Sequence, residues 1–480
     1  MKTIFSCHQQ GLRAMTLLVL TSFLLACGGG ISLSGVGSGG SGIAEGSISG
    51  FGSVIVNGVE YDDSNAVSQT EDATGQKTLS AAKLGQMVRV TQSKDGTADT
   101  IEILPQLRGP VTSASSDGVY LQVMGQWVRV VSVSNTSGTA TVVENYDGIG
   151  SIAKDDSVEV HGVWTQDAAK RVPVLVASRI EKLSASFELL ISGQVTSVSQ
   201  GKFTINGSSV VVDGGASPSM PVGSQVTAWL SQWDSGAQAQ RATRTKDAAP
   251  VPTGTQLLRL DVMAAKNDVS NGQLRAQGRP IAVPTNLLSQ FPNSPAPLLL
   301  EATLQNGVWT ATALRARSRP EDLGGEILLK GAIPWDATAS TLTLREAKVA
   351  IGSATVISAN CPQSGTMVFL EVRALRGPPG TTPVATSINC LSAPPSDSVI
   401  RQGGVVQSIS ADRQSLTVKF DDQTNPTAMV LFAGSMLPPP PNDIDYLIQR
   451  QLHVDVEYQV VAGRNQLRSI NQPPGLPAPQ

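Results

Sequence analysis

From about residue 44 onward, apolar and polar residues alternate in short runs with period two, the pattern of strands that bury one face. The first run, Gly46-Ser-Ile-Ser-Gly-Phe-Gly-Ser-Val-Ile-Val-Asn-Gly-Val-Glu-Tyr61, contains Asn57-Gly58, which suits a two-residue hairpin turn with φ > 0 at both central positions. That turn sets the register. Val56 falls opposite Val59 and Val54 opposite Tyr61 on one side, while Ile55 and Glu60 lie on the other, so one side is core. Helical periodicity is nearly absent.

The same design returns around Met124-Gly125, Asn206-Gly207 and Gln277-Gly278. An apolar alternating strand follows each hairpin, at Leu84 to Val90, Ser157 to Trp164, Val222 to Leu230, Leu298 to Leu304, Met367 to Leu375 and Leu452 to Val460. A third signature closes each copy, a small residue followed three positions later by an aliphatic one, as at Ala98 and Ile101 or Ala177 and Ile180. Six copies are expected. Copies five and six lack the glycine turn, so Leu342-Thr-Leu344 and Leu416-Thr-Val418 are expected to run into longer connections. With an opening strand before each hairpin, each copy holds about five strands, which favours a small barrel that escapes open edges by closing on itself.

The expected fold is therefore all-β, a tandem array of small five-stranded OB-like antiparallel barrels behind a signal peptide and a flexible tether. The boundaries read from the repeats are a leader at 1–26 and a tether at 27–43, then β-domains at 44–104, 107–184, 188–248, 255–318, 324–391 and 399–473, with a tail at 474–480.

The leader has its own logic. Lys2 and Arg13 precede an apolar run, Ala14 to Ala26, that ends in Leu24-Leu25-Ala26-Cys27. A run of about a dozen residues is short of the roughly 20 needed to cross a hydrocarbon core, so it reads as a signal and not as a spanning helix. The four residues ending at Cys27 resemble the bacterial lipobox, which implies that Cys27 is acylated, palmitate included, and becomes the mature N-terminus. Gly28 after Cys27 resembles the pattern of bacterial lipoproteins sent to the outer membrane. The Gly/Ser stretch Gly28 to Gly42 has too few apolar residues to bury and serves as a tether with a reach of roughly 20 Å.

Composition and charge narrow the partners. The net charge of −3 offers no basic footprint for nucleic acid. Of four cysteines, Cys7 and Cys27 belong to the leader, which leaves Cys361 and Cys390 as a candidate disulfide in an oxidising envelope.

The stretch GSISGFGSVIVNGVEYDDSNAV, with LGQMVRVTQS and TADTIEI, resembles the bacterial family called domain of unknown function 5666, whose members are often lipoproteins with tandem copies. The resemblance is specific to copy one, from about Gly46 to Leu104, and copies two to four are similar in pattern. It implies a small β-barrel and an envelope location, and it brings no catalytic residues.

A search for chemistry returns little. There is no Gly-x-Ser-x-Gly elbow, no His-Glu-x-x-His and no phosphate-cradling glycine loop with lysine. His161 and His453 read as strand-surface histidines, and no cofactor or metal site is expected. The acidic pairs Asp62-Asp63, Asp155-Asp156 and Asp421-Asp422, and Asp443-x-Asp445, read as solvated turns and not as calcium loops. Arg315, Arg317 and Arg319 alternate along one closing strand, with Arg244 and Lys246 in a similar place in copy three, so their charges should share a face that an anionic glycan or lipid headgroup could meet. The plainer reading is an outward face kept soluble. The tryptophans read as packing residues before sugar-stacking ones. Two function classes follow: a non-catalytic scaffold or binding array that meets an envelope protein or glycan, and an oligosaccharide or envelope-polymer binding module. A hydrolase is a distant third.

Overall fold

The computed structural model describes residues 41–471 apart from short interruptions, the longest of them 213–219, 318–324, 392–398 and 431–443. The fold is all-β. Among the described residues the α-helices are short, Thr285–Leu288 and Ile444–Arg450, and none is long and apolar enough to cross a membrane.

The hairpins form in the expected register. Val56 faces Val59, Val123 faces Gln126, Ile205 faces Ser208 and Ala276 faces Arg279, each across two residues with positive φ. Asn57 is buried, and its side chain turns back to donate to the backbone oxygen of Glu45 on the opening strand. Gly46 makes room for this, because a Cβ there would collide with the Asn57 amide.

One pairing scheme then recurs. In copy two, Leu107–Ala114 pairs antiparallel with Tyr120–Val123, and that strand pairs with Gln126–Arg129. Gln126–Arg129 runs parallel to Pro173–Lys182, which pairs antiparallel with Ser157–Gln166, and this last strand returns to Leu107–Ala114. Copy three repeats all five steps, and in copy six the five strands close into a barrel. Copies four and five keep the hairpin, the parallel step from third to fifth strand, and both antiparallel pairings of the fourth.

Separate beads are not what the chain builds, however. Gly42–Phe51 of copy one runs parallel to Leu257–Ala264 of copy four over four residues, and Phe51 also pairs with Leu329 of copy five. Leu107 and Arg108 of copy two pair with Ile191 and Leu190 of copy three. The result is one hydrogen-bonded network of 18 strands through copies one, four and five, and a second of 11 strands through copies two and three. The ends of opening strands carry backbone groups that must find partners, and a neighbouring copy supplies them. The cores merge as well. Phe51 and Tyr61 of copy one pack in one cluster with Trp335 and Leu370 of copy five, and Leu121 and Val160 of copy two with Phe203 and Val226 of copy three. Each such large side chain contributes about 1.5–3 kcal/mol on full burial.

The turn of copy five differs from the expected long connection. Leu344 faces Ala347 across two residues, beginning with Arg345 at φ 50° and without any glycine. An arginine there is strained, and the strain is offset because its guanidinium is held by Asp63 of copy one at 2.7 Å. Copy six does have the longer connection, from Phe420 to Thr427.

Candidate functional site

The charged residues singled out on the closing strands do not make an outward face. Arg317 is buried in an ion pair with Asp261 of the same copy at 2.6 Å. Arg315 reaches the backbone oxygen of Asn57 in copy one, and Arg319 lies outside the described residues. Arg244 and Lys246 both bind Glu71 of copy one, and Arg244 also lies 4.6 Å from the Trp229 ring. The expected solvated face is corrected to a set of clamps, because other copies cover the side of the strand that points away from its own core.

A second deeply buried clamp centres on Glu45. Arg89 approaches it at 2.6 Å from copy one and Arg279 at 2.7 Å from copy four. Burial alone would raise the Glu45 carboxyl, but the two guanidiniums outweigh that and hold it at about 2. Removing one partner from such a cluster strands a buried charge, at a cost of about 3–5 kcal/mol.

His161 is a second correction. It is fully buried at the junction of copies one and two, not on a strand surface. Its Nδ1 accepts from the Met87 backbone N–H at 3.2 Å, so its own proton lies on Nε2 and is donated to Glu159, 2.8 Å away. Arg108 binds the other oxygen of Glu159 at 2.7 Å. Burial would raise the Glu159 carboxyl, yet the His161 and Arg108 contacts keep it far below the usual range. Every partner here is structural. His453 is exposed.

The remaining candidates are placed as follows. Cys361 and Cys390 are disulfide-bonded, with Cα atoms 5.0 Å apart. Asp63 binds Arg345, while Asp156 binds Lys182 and accepts from the Tyr146 hydroxyl. Among the described residues no group of three or more metal-ligating side chains converges. Asp421, Asp422, Asp443 and Cys27 lie outside the described residues. Trp335 and Trp229 are buried, and Trp335 donates to the Pro362 backbone oxygen at 2.8 Å.

What the repeats did not signal is a cleft of about 420 Å³ where copies one, two and five meet. Copy one supplies Lys83 and Leu84, copy two supplies Thr141–Tyr146, Arg179 and Glu181, and copy five supplies Lys348 and the stretch Arg376–Pro383. Lys83 binds Glu181 at 2.8 Å, and Arg179 binds Glu181 at 2.8 Å and donates to the Leu84 backbone oxygen at 3.0 Å. Arg376 donates to the backbone oxygen of Ala140 at 3.1 Å. Burial and the neighbouring Arg179 charge pull Arg376 down to about 10. The far wall is a close approach of two loops, since a Cβ on Gly380, at φ 88°, would collide with the Gly148 backbone. Gly377-Pro-Pro-Gly380 was the available sequence signal for this wall, and it reads locally only as a turn. Comparison with models of known protein families and with curated proteins gives no match.

Proposed function

We propose that this chain is a non-catalytic protein of the bacterial cell envelope, lipid-anchored through Cys27 and facing its partners with a rigid scaffold of fused β-domains. The domains follow the boundaries read from the repeats, each a five-stranded barrel of OB-like connectivity, and the resemblance to domain of unknown function 5666 belongs to this reading. The recurring five-step pairing supports the barrels. The apolar run ending at Leu24-Leu25-Ala26-Cys27 supports the anchor, with Gly28 favouring the outer membrane.

One observation carries the scaffold reading: among the described residues, several buried carboxylates are engaged in ion pairs, most of them between copies. Glu45, Glu71, Glu159 and Asp63 each bind cations, and three of these four clamps cross between copies. Acid–base catalysis needs such groups free in a cleft. A carbohydrate or envelope-polymer module is the second reading, favoured by the cationic cleft between three copies. Neither reading involves nucleic acid or a cofactor.

The anchor is tested by Cys27→Ala, which should move the protein from the membrane to the soluble fraction; continued membrane retention would contradict it. The purified mature chain should show no turnover on panels of glycans, esters and peptides. Reproducible hydrolysis lost on changing one carboxylate, in a variant that remains folded, would overturn the non-catalytic reading.

A further inference from the structure

We propose that copy four carries two sites of spontaneous covalent modification, the turns Asn271-Gly272 and Asn306-Gly307, where the asparagine amide is lost through a cyclic imide and an aspartate or isoaspartate is left behind. Neither the lipid anchor nor the scaffold reading is needed for it.

The backbone nitrogen of the glycine attacks Cγ of the preceding asparagine. A C–N bond forms there, the bond from Cγ to the side-chain nitrogen breaks, and ammonia departs with the proton that the glycine nitrogen gives up. Water then opens the imide at either carbonyl. Opening at one restores the ordinary chain with an aspartate, and opening at the other routes the backbone through the side chain. Glycine favours the attack because no Cβ shields its nitrogen.

The chain holds four Asn-Gly pairs, and each is the two-residue turn of a hairpin. Asn57, Asn206, Asn271 and Asn306 have nearly equal φ values of 59°, 47°, 51° and 50°, and every following glycine is also at positive φ. The backbone treats the four alike. What separates them is the side chain.

Two of the amides are held. Asn57 and Asn206 are buried in slots left by glycines of the opening strands, since a Cβ on Gly46 would lie 2.0 Å from Asn57 Oδ1 and one on Gly193 2.0 Å from Asn206 Nδ2. Asn57 donates to the backbone oxygens of Glu45 and Arg259, and Asn206 accepts from the Gln194 backbone N–H. To bring Cγ over the glycine nitrogen, either side chain must leave its slot and break these bonds, which needs the hairpin to open. Asn271 and Asn306 sit outside any slot. Both are exposed, neither side chain makes a hydrogen bond among the described residues, and a Cβ on Gly272 or Gly307 would meet nothing within 4 Å. Gln305 and Val308, which flank the second of these turns, are exposed as well, so that hairpin tip frays at little cost.

Each event turns a neutral amide into a carboxylate, so a chain of net charge −3 gains one further negative charge per turn. Asn57, whose amide ties copy one to copy four, is the protected one. The loss falls on turns whose amides hold nothing.

The test is peptide mapping by mass spectrometry of the purified full chain held in mildly alkaline buffer, where the attacking nitrogen gives up its proton more readily, beside the same chain unfolded in urea. In urea all four amides should be lost at similar rates, because each is the same dipeptide. In the folded chain, loss at Asn271 and Asn306 should be at least about tenfold faster than at Asn57 and Asn206, the ratio set by about 1.4 kcal/mol of extra opening free energy. Isoaspartate should be among the products, which direct hydrolysis of the amide cannot give. An amide left intact at either exposed turn while the unfolded chain is converted, loss at Asn57 or Asn206 keeping pace with them, or aspartate as the only product would overturn the assignment.

Discussion

Copies one and six both pair the opening strand with a hairpin strand on one side and with the fourth main strand, Met87–Gln92 or His453–Val461, on the other, yet end in different states. Copy six closes on itself, with Val399–Ile409 pairing at one edge to Ser415–Phe420 and at the other to His453–Val461, and it keeps its own core around Val406, Phe420 and Leu447. Phe369 of copy five packs against that core from outside. In copy one the opening strand extends past its own copy to pair with copy four, its core runs into that of copy five, and Glu45 holds a guanidinium from copy four. A helix, Ile444–Arg450, sits between the third and fourth strands of copy six and brings Leu447 into its core. Among the described residues copy one has no such helix there, and the cluster holding its core continues into copy five. The two copies thus differ in whether the core is completed within the copy or shared with a neighbour.

The largest way to separate the two regions is to damage copy six alone. Phe420 is buried and stacked on Tyr458 with ring centroids 5.5 Å apart, so Phe420→Ala should cost about 3–5 kcal/mol. Scanning calorimetry should show one transition lowered or lost and the remainder unmoved; a shift of the whole profile would mean that copy six is not separate.

A change in the fused region should spread instead. The Cys361–Cys390 bridge closes a loop with a sequence separation of 29, worth about 3 to 4 kcal/mol in the chain-entropy model. Cys390 belongs to the cluster that also holds Phe51 and Tyr61, so Cys390→Ala should destabilise copies one and five together. Limited proteolysis that opened copy five while copy one stayed protected would contradict the shared core.

Acid gives a smaller, graded test. Glu45 is held at about 2, below its ordinary 4.5, so its ionised form is favoured by folding. The stability it contributes is present above about pH 4.5 and is lost as pH falls toward 2. The melting temperature of the fused body should fall through that window, and a flat profile there would show that the Glu45 cluster adds nothing.

Much of the strand layout was legible because it is local. Asn57-Gly58 and its counterparts dictate a turn, and the turn dictates which residues face each other. What lies across a copy boundary left no local trace. Leu257–Ala264 follows Gly42–Phe51 by about 200 residues, and nothing in either run names the other as a parallel partner. His161 and Arg317 were misread for one reason: alternation tells which face of a strand a residue occupies, and not whether another copy covers that face. Arg345 escaped notice because its positive φ is supported by Asp63, a residue of copy one. The cleft, assembled from three copies, could not be seen in any one of them.

The central claim is that copies one and four are held as one body through the Glu45 cluster and the strand pairing beside it. Hydrogen exchange followed by mass spectrometry on Glu45→Gln tests it, since the variant keeps the shape and removes the charge between Arg89 and Arg279. Exchange should accelerate together in Gly42–Phe51 and Leu257–Ala264 and stay unchanged in Val399–Ile409. Faster exchange confined to Gly42–Phe51, with Leu257–Ala264 as protected as before, would contradict the account.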